Sequence, residues 1–75
     1  MAMTQGEIAA LPVDRLLGKI AEESGEVIQA AMKMQAHGAR PQWSGVQYDN
    51  VADLNTEFSQ LSGLMQEFRR RFGVN

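Results

Sequence analysis

Apolar residues recur every three or four positions over two long stretches of this chain, with a Gly- and Pro-bearing segment between them. A period near 3.6 residues specifies a helix with a single apolar stripe, so this pattern narrows the fold more than any other feature. Val13, Leu16, Ile20, Val27, Ala31 and Met34 make the first stripe, with Leu17 and Ser24 beside it. Val51, Leu54, Phe58, Leu61, Met65, Phe68 and Phe72 make the second. The boundaries come from local chemistry. Thr4 and Glu7 have the spacing of a capping box, which predicts a short helix over 5–11. Pro12 suits the first turn of the next helix, expected over 13–36 and ended by Gly38. Gly25 is a weak point inside it. Residues 38–49, "GARPQWSGVQYD", have two Gly, a Pro and no apolar period, and read as a loop. Asp49 or Asn50 caps the last helix, expected over 50–71, and Gly73 ends it.

The expected fold is therefore all-α: an antiparallel helical hairpin with a short N-terminal helix, in one domain over 1–75. A chain of 75 residues has a marginal core of its own. With no Cys and one His it has no disulfide and no Cys/His metal site to help. Self-association is the remaining route to stability, and a symmetric dimer of hairpins makes a four-helix bundle. A net charge of −2 argues against a nucleic-acid partner. No stretch approaches the ~20 apolar residues of a membrane span, and no signal segment is visible, so a cytoplasmic location is expected.

Against this apolar background, "KIAEESGEV" places Glu22, Glu23 and Glu26 at the centre of the first long helix. Like charges three and four residues apart repel by a few tenths of a kcal/mol. Relative to a stripe centred on Ile20, Glu23 lies about 60° off centre, with Glu26 and Glu22 further round. On the second helix Glu57 lies about 60° from Leu54, with Asp53, Gln60 and Arg71 outward of it. Each helix thus carries acids at the margin of its stripe, and in a hairpin those margins meet. Two readings fit. The acids form a solvated face, with Lys19 and Lys33 as partners, or they hold a hard cation, Mg²⁺ or Mn²⁺, for which oxygen-only ligands are suited.

Taken together, "LGKIAEESGEVIQAAMKMQAHG" and "NVADLNTEFSQLSGL" resemble the all-α nucleoside triphosphate pyrophosphohydrolases, the superfamily of MazG and the dimeric dUTPases, and in particular its small phage-type members. The family pattern is E-E-x-x-E on one helix and E-x-x-D on the next. Glu22, Glu23 and Glu26 match the first motif. Lys33 and Gly38 match the Lys and Gly that come after that motif in the small members, and Asn50, Leu54 and Glu57 match the approach to the second. Gln60 stands where the family has Asp, and the chain has no further nucleotide-contacting helix after its arginines. The resemblance implies a MazG-like bundle, a homodimer or homotetramer, and Mg²⁺- or Mn²⁺-dependent cleavage of a nucleoside triphosphate to monophosphate and pyrophosphate. It further implies Glu23, Glu26 and Glu57 as metal ligands, supplemented by Asp53 and Gln60, with Glu22 as the catalytic residue that positions water. Lys33 and Asn50 become substrate-binding residues. If the protein is phage-encoded, its location is the host cytoplasm. The alternative is a degenerate relative, without turnover, that binds a nucleotide or a protein partner.

Trp43 and Tyr48 in the loop read first as closing the open end of the small core or joining an interface, and second as candidates for stacking on a base. His37 and Arg69 to Arg71 sit where positive charge favours a helix C-terminus, and the three arginines read as a solvated helix end, with phosphate binding as the alternative. Met32, Met34 and Met65 read as core or interface residues.

Overall fold

The computed structural model describes residues 2–43 and 45–74. Met1, Ser44 and Asn75, which the expected domain and loop include, lie outside the described residues. Three helices, α1 (Gln5–Ala9), α2 (Val13–His37) and α3 (Asn50–Phe72), account for most of the chain. Between α2 and α3 lie two short strands, β1 (Gln42–Trp43) and β2 (Val46–Gln47). The two long helices form the expected hairpin, and the molecule is a rod of 46 × 19 × 19 Å. Among the described residues no helix is long and apolar enough to cross a membrane.

The caps behave largely as the sequence predicts. Thr4 and Glu7 make both bonds of the capping box on α1. Asp49 caps α3 by accepting from the Ala52 amide at 3.0 Å, and Gly73 closes it at φ 65°. Pro12 is a correction: it takes the N-cap position of α2, with extended backbone, rather than the first turn. α1 is also shorter than expected and stops at Ala9.

The loop is the second correction. Residues 42–47 form an antiparallel ladder that pairs Gln42 with Gln47 and Trp43 with Val46. Gly45, at φ 79°, takes the left-handed backbone that short hairpin connections use. The bonds from Tyr48 N to Pro41 O and from Asn50 N to Ala39 O, each 2.9 Å, tie the same segment together further on. The two strands are too short for alternation to register as a period, which is why the segment reads as loop.

The helix–helix seam differs in phase from the predicted stripes. On α2 the buried and half-buried positions run Leu16, Ile20, Glu23, Val27, Ala30 and Met34, with Lys19 and Ser24 beside them. On α3 they run Asn50, Leu54, Glu57, Leu61, Leu64, Phe68 and Arg71, with Val51, Gln60, Gly63, Met65 and Glu67 beside them. Both series alternate steps of four and three, the spacing of a coiled-coil seam. Val13, Phe58 and Phe72, assigned to the stripes, are instead 47%, 58% and 54% exposed. A straight 3.6-residue stripe is broader than a seam between two helices, and one partner helix covers only part of it.

The tightest packing is at the end of the hairpin away from the strands. Ile8, Leu16 and Leu64 are buried together, with Met3, Leu11, Ile20 and Phe68 against them. A buried ion cluster holds α1 there. Glu67 is 3% exposed and accepts from Arg70 Nε and Nη2 at 2.9 and 2.6 Å and from Arg71 Nε at 2.6 Å. Arg71 then donates through Nη2 to the carbonyls of Ile8 and Ala9 at 3.1 and 3.2 Å. These carbonyls end α1, where helix acceptors run short of amide partners; Ile8 O also accepts from the Leu11 amide at 3.1 Å. The expectation that all three arginines form a solvated helix end fails for Arg71, whose side chain is 18% exposed.

Two outcomes are expected. Leu16→Ala, at a position with no exposure, should cost ~2–5 kcal/mol in urea unfolding, as for other buried Leu truncations. The two guanidinium groups, Arg70 foremost, lower the Glu67 pKa from 4.5 to about 2. A lowered folded-state value stabilises the protein above the unfolded value, and the contribution is lost as pH falls from about 4.5 towards 2. Thermal melts across that window should show this loss, and Glu67→Gln should flatten it.

Candidate metal centre

Midway along the seam the apolar sequence is interrupted by two acids that face each other across the hairpin. Glu23 comes from α2 and Glu57 from α3, each at a position where the three–four spacing calls for a Leu or Val. Glu26, one turn beyond Glu23, joins them from the exposed side. One carboxylate oxygen from each of Glu23, Glu26 and Glu57 lies within 4.8 Å of the other two. The Oε2 atoms of Glu23 and Glu57 are buried and have no hydrogen-bond partner. Burying a polar atom unpaired is costly, and burying a charged one more so.

The electrostatics agree with the geometry. The Glu26 pKa is raised above its ordinary value of 4.5, chiefly by a carboxyl–carboxyl hydrogen bond to Glu57 and then by the repulsion of that carboxylate. Glu22 adds a smaller repulsive contribution. A proton shared between two carboxyls is one way to hold like charges together, and a cation is the other. The donor set is oxygen-only, carboxylate-only and drawn from two rigid helices, which suits a hard divalent ion and not zinc.

The remaining candidates are distributed around this triad. Glu22 is outside it: the side chain is exposed and pairs with Lys19 at 3.4 Å. Asp53 and Lys33 share a cavity of about 170 Å³ with Glu26 and Glu57. This puts a cation and a further acid on the rim of the triad. Gln60 is on the other side, in a second cavity with Glu23. Asn50 is 2% exposed and donates through Nδ2 to the Gly38 carbonyl at 3.0 Å. It locks the end of α2 to the start of α3. Trp43 packs edge-on against His37, with centroids 5.0 Å apart, and against Tyr48 at 5.1 Å. Trp43 and Tyr48 remain 47% and 45% exposed.

Sequence reasoning puts Glu23 and Glu57 at the margins of their stripes, whereas both lie in the seam. The signal for this is the four–three alternation, which runs through both acids without a break. Glu67 is a position that sequence reasoning misses altogether. An acid followed by three arginines reads as helix-end charge, and nothing local marks it as buried.

Because its pKa is raised, folded Glu26 binds a proton more tightly than the unfolded chain does. That favours the folded state below the unfolded value, and the advantage is lost as pH rises through the folded value. Glu26→Gln should therefore raise the melting temperature of the metal-free protein near neutral pH and flatten its dependence above about pH 4.5. Thermal melts of both proteins, from about pH 4 to about pH 7, check this.

Comparison with models of protein families, with curated proteins and with solved structures found no match to this chain.

Proposed function

We propose that the triad binds Mg²⁺ or Mn²⁺ and that the protein is a nucleoside triphosphate pyrophosphohydrolase of the MazG-like kind. The observation that carries the reading is the pair of buried, unpartnered carboxylate oxygens in the helix seam, with a third acid in reach. A solvated face does not explain acids inside a seam. Glu23, Glu26 and Glu57 would hold the ion. When bound, such an ion polarises phosphate oxygens and lowers the pKa of a bound water. The chain's own residues supply the rest. Lys33, beside Glu26 and Glu57, offers a point charge to a phosphate oxygen. Asp53 on the same rim orients a water or adds a ligand, and exposed Glu22 accepts a hydrogen bond from the attacking water. The resemblance of the Glu22, Glu23, Glu26 and Glu57 pattern supports the reaction class, cleavage between the α- and β-phosphates.

The second reading, a binding module without turnover, is favoured by one observation. Gln60, in place of the family's Asp, lines a different cavity from Asp53 and Lys33. The two readings part on one assay. Pyrophosphate release from a panel of nucleoside triphosphates with Mg²⁺ or Mn²⁺ is expected from the native protein and not from the triple variant Glu23→Gln, Glu26→Gln, Glu57→Gln. If native protein and Gln60→Asp are both inert while folded, turnover is not the function. The ion itself is tested separately. At ten times its dissociation constant it should stabilise by about 1.4 kcal/mol, or several degrees of melting temperature. The triple variant should show no such rise.

Assembly into a dimer of hairpins belongs to the same proposal. Val13, Leu17, Ile28 and Met32 on α2 and Phe58 and Phe72 on α3 are all about half exposed. Phe58, Leu61 and Met65 line an open groove of about 460 Å³. A second copy supplies matching apolar helix faces and completes a four-helix bundle. Light scattering at micromolar concentration should give twice the chain mass or more, and Phe58→Glu should shift it towards the monomer.

A further inference from the structure

Gln60 is the residue that fits the resemblance least, and its surroundings suggest a use for it. It lines a cavity of about 190 Å³ between the N-terminal segment and the hairpin. Met3, Gln5 and Ile8 form one wall of that cavity, and Glu23, Ser59 and Gln60 are among the residues of the opposite one. Glu23 therefore borders both this cavity and the carboxylate triad. A group in the cavity would meet the triad at Glu23, on the side away from Lys33 and Asp53.

We propose that this cavity receives the nucleoside end of the nucleotide, with the side-chain amides of Gln60 and Gln5 as its recognition groups. The inference rests on the nucleotide reading above and extends it to the non-phosphate part of the ligand. Size is the first argument. Pockets for drug-sized ligands run to ~300–1,000 Å³, so this one takes a group of about one ring system rather than a whole nucleotide. Chemistry is the second. Met3, Ile8 and Leu64 give the cavity an apolar side against which a flat ring can lie. An amide presents a donor and an acceptor side by side, which complements the paired donor and acceptor on a base edge. An Asp at position 60 would only accept, and would place another charge beside Glu23. Gln60 thus suits a neutral hydrogen-bonding ligand better than the acid it replaces.

The wall that carries Gln5 is held in place. Its Oε1 is 3.1 Å from where a Cβ on Gly63 would stand, and Ile8 Cδ1 is 3.7 Å from the same point. Glycine at 63 lets α1 approach this closely, and Arg71 anchors the far end of α1 through the Ile8 and Ala9 carbonyls. Ser59 donates its hydroxyl to the Asn55 carbonyl at 2.8 Å and keeps its oxygen lone pairs for a ligand.

The test titrates the full chain with uridine, cytidine, adenosine and guanosine, without metal, and follows the side-chain amides of Gln5 and Gln60 by ¹H–¹⁵N NMR. At least one nucleoside should shift both amides saturably. Gln60→Leu should weaken that binding tenfold or more, and Ser59→Phe, which fills the cavity from an exposed position, should abolish it. The inference is overturned if no nucleoside moves these amides, if binding persists undiminished in Ser59→Phe, or if the Trp43 indole responds instead. The metal-dependent rise in melting temperature involves no nucleoside, so the two readings fail separately. An ion response without nucleoside binding removes this inference alone. Nucleoside binding without an ion response supports the cavity and removes the hydrolase reading.

Discussion

A carboxylate withdrawn from solvent among packed helices has to be neutralised by something, and this fold meets that requirement at two places. At Glu67 the solution is internal. Two guanidinium groups surround the acid, and the same Arg71 reaches on to hold α1. At Glu23 and Glu57 no cation among the described residues pairs with the acids, and two oxygens are left without a partner. The contrast between two acidic positions in one hairpin, one satisfied and one not, separates a structural ion cluster from a candidate binding site. Lys19 and Lys33 are close enough in sequence to serve the same purpose. Lys19 instead pairs with exposed Glu22, and Lys33 stands at the rim of the neighbouring cavity.

The seam acids also divide the molecule along its length. On one side lies the Ile8, Leu16 and Leu64 core with α1 docked over it. On the other lie Ala30, Asn50 and the small strand pair, closed by the Asn50–Gly38 bond. Each end is fastened by its own polar contact, so the middle can carry repulsion without the helices separating. Helical scaffolding that supplies position, with stability drawn from elsewhere, is a common basis for sites that must hold like charges close.

Much of this is legible in the sequence. The order of the three helices, the capping box on α1, the Asp49 cap and the convergence of Glu23, Glu26 and Glu57 can all be read from period and spacing. The illegible parts have identifiable causes. A stripe drawn at 3.6 residues per turn places Val13, Phe58 and Phe72 inward, whereas a seam between two helices runs at 3.5 and leaves them outside. The strand pair is two residues long on each side, too short to show alternation. The capture of the α1 carbonyls by Arg71 and the cavity that Gln60 shares with α1 depend on where α1 docks, and no local pattern encodes a contact across 62 or 63 residues.

That last contact has a consequence for the order in which the fold is made. The carbonyls of Ile8 and Ala9 are synthesised well before their donor, which belongs to the last turn of α3. Closing so long a stretch of chain costs entropy that only a formed hairpin offsets. Docking of α1 therefore waits on the hairpin, because α3 supplies both Arg71 and Leu64 to it. The wall it contributes to the cavity beside Glu23 is in place only in the fraction of molecules that have completed this closure.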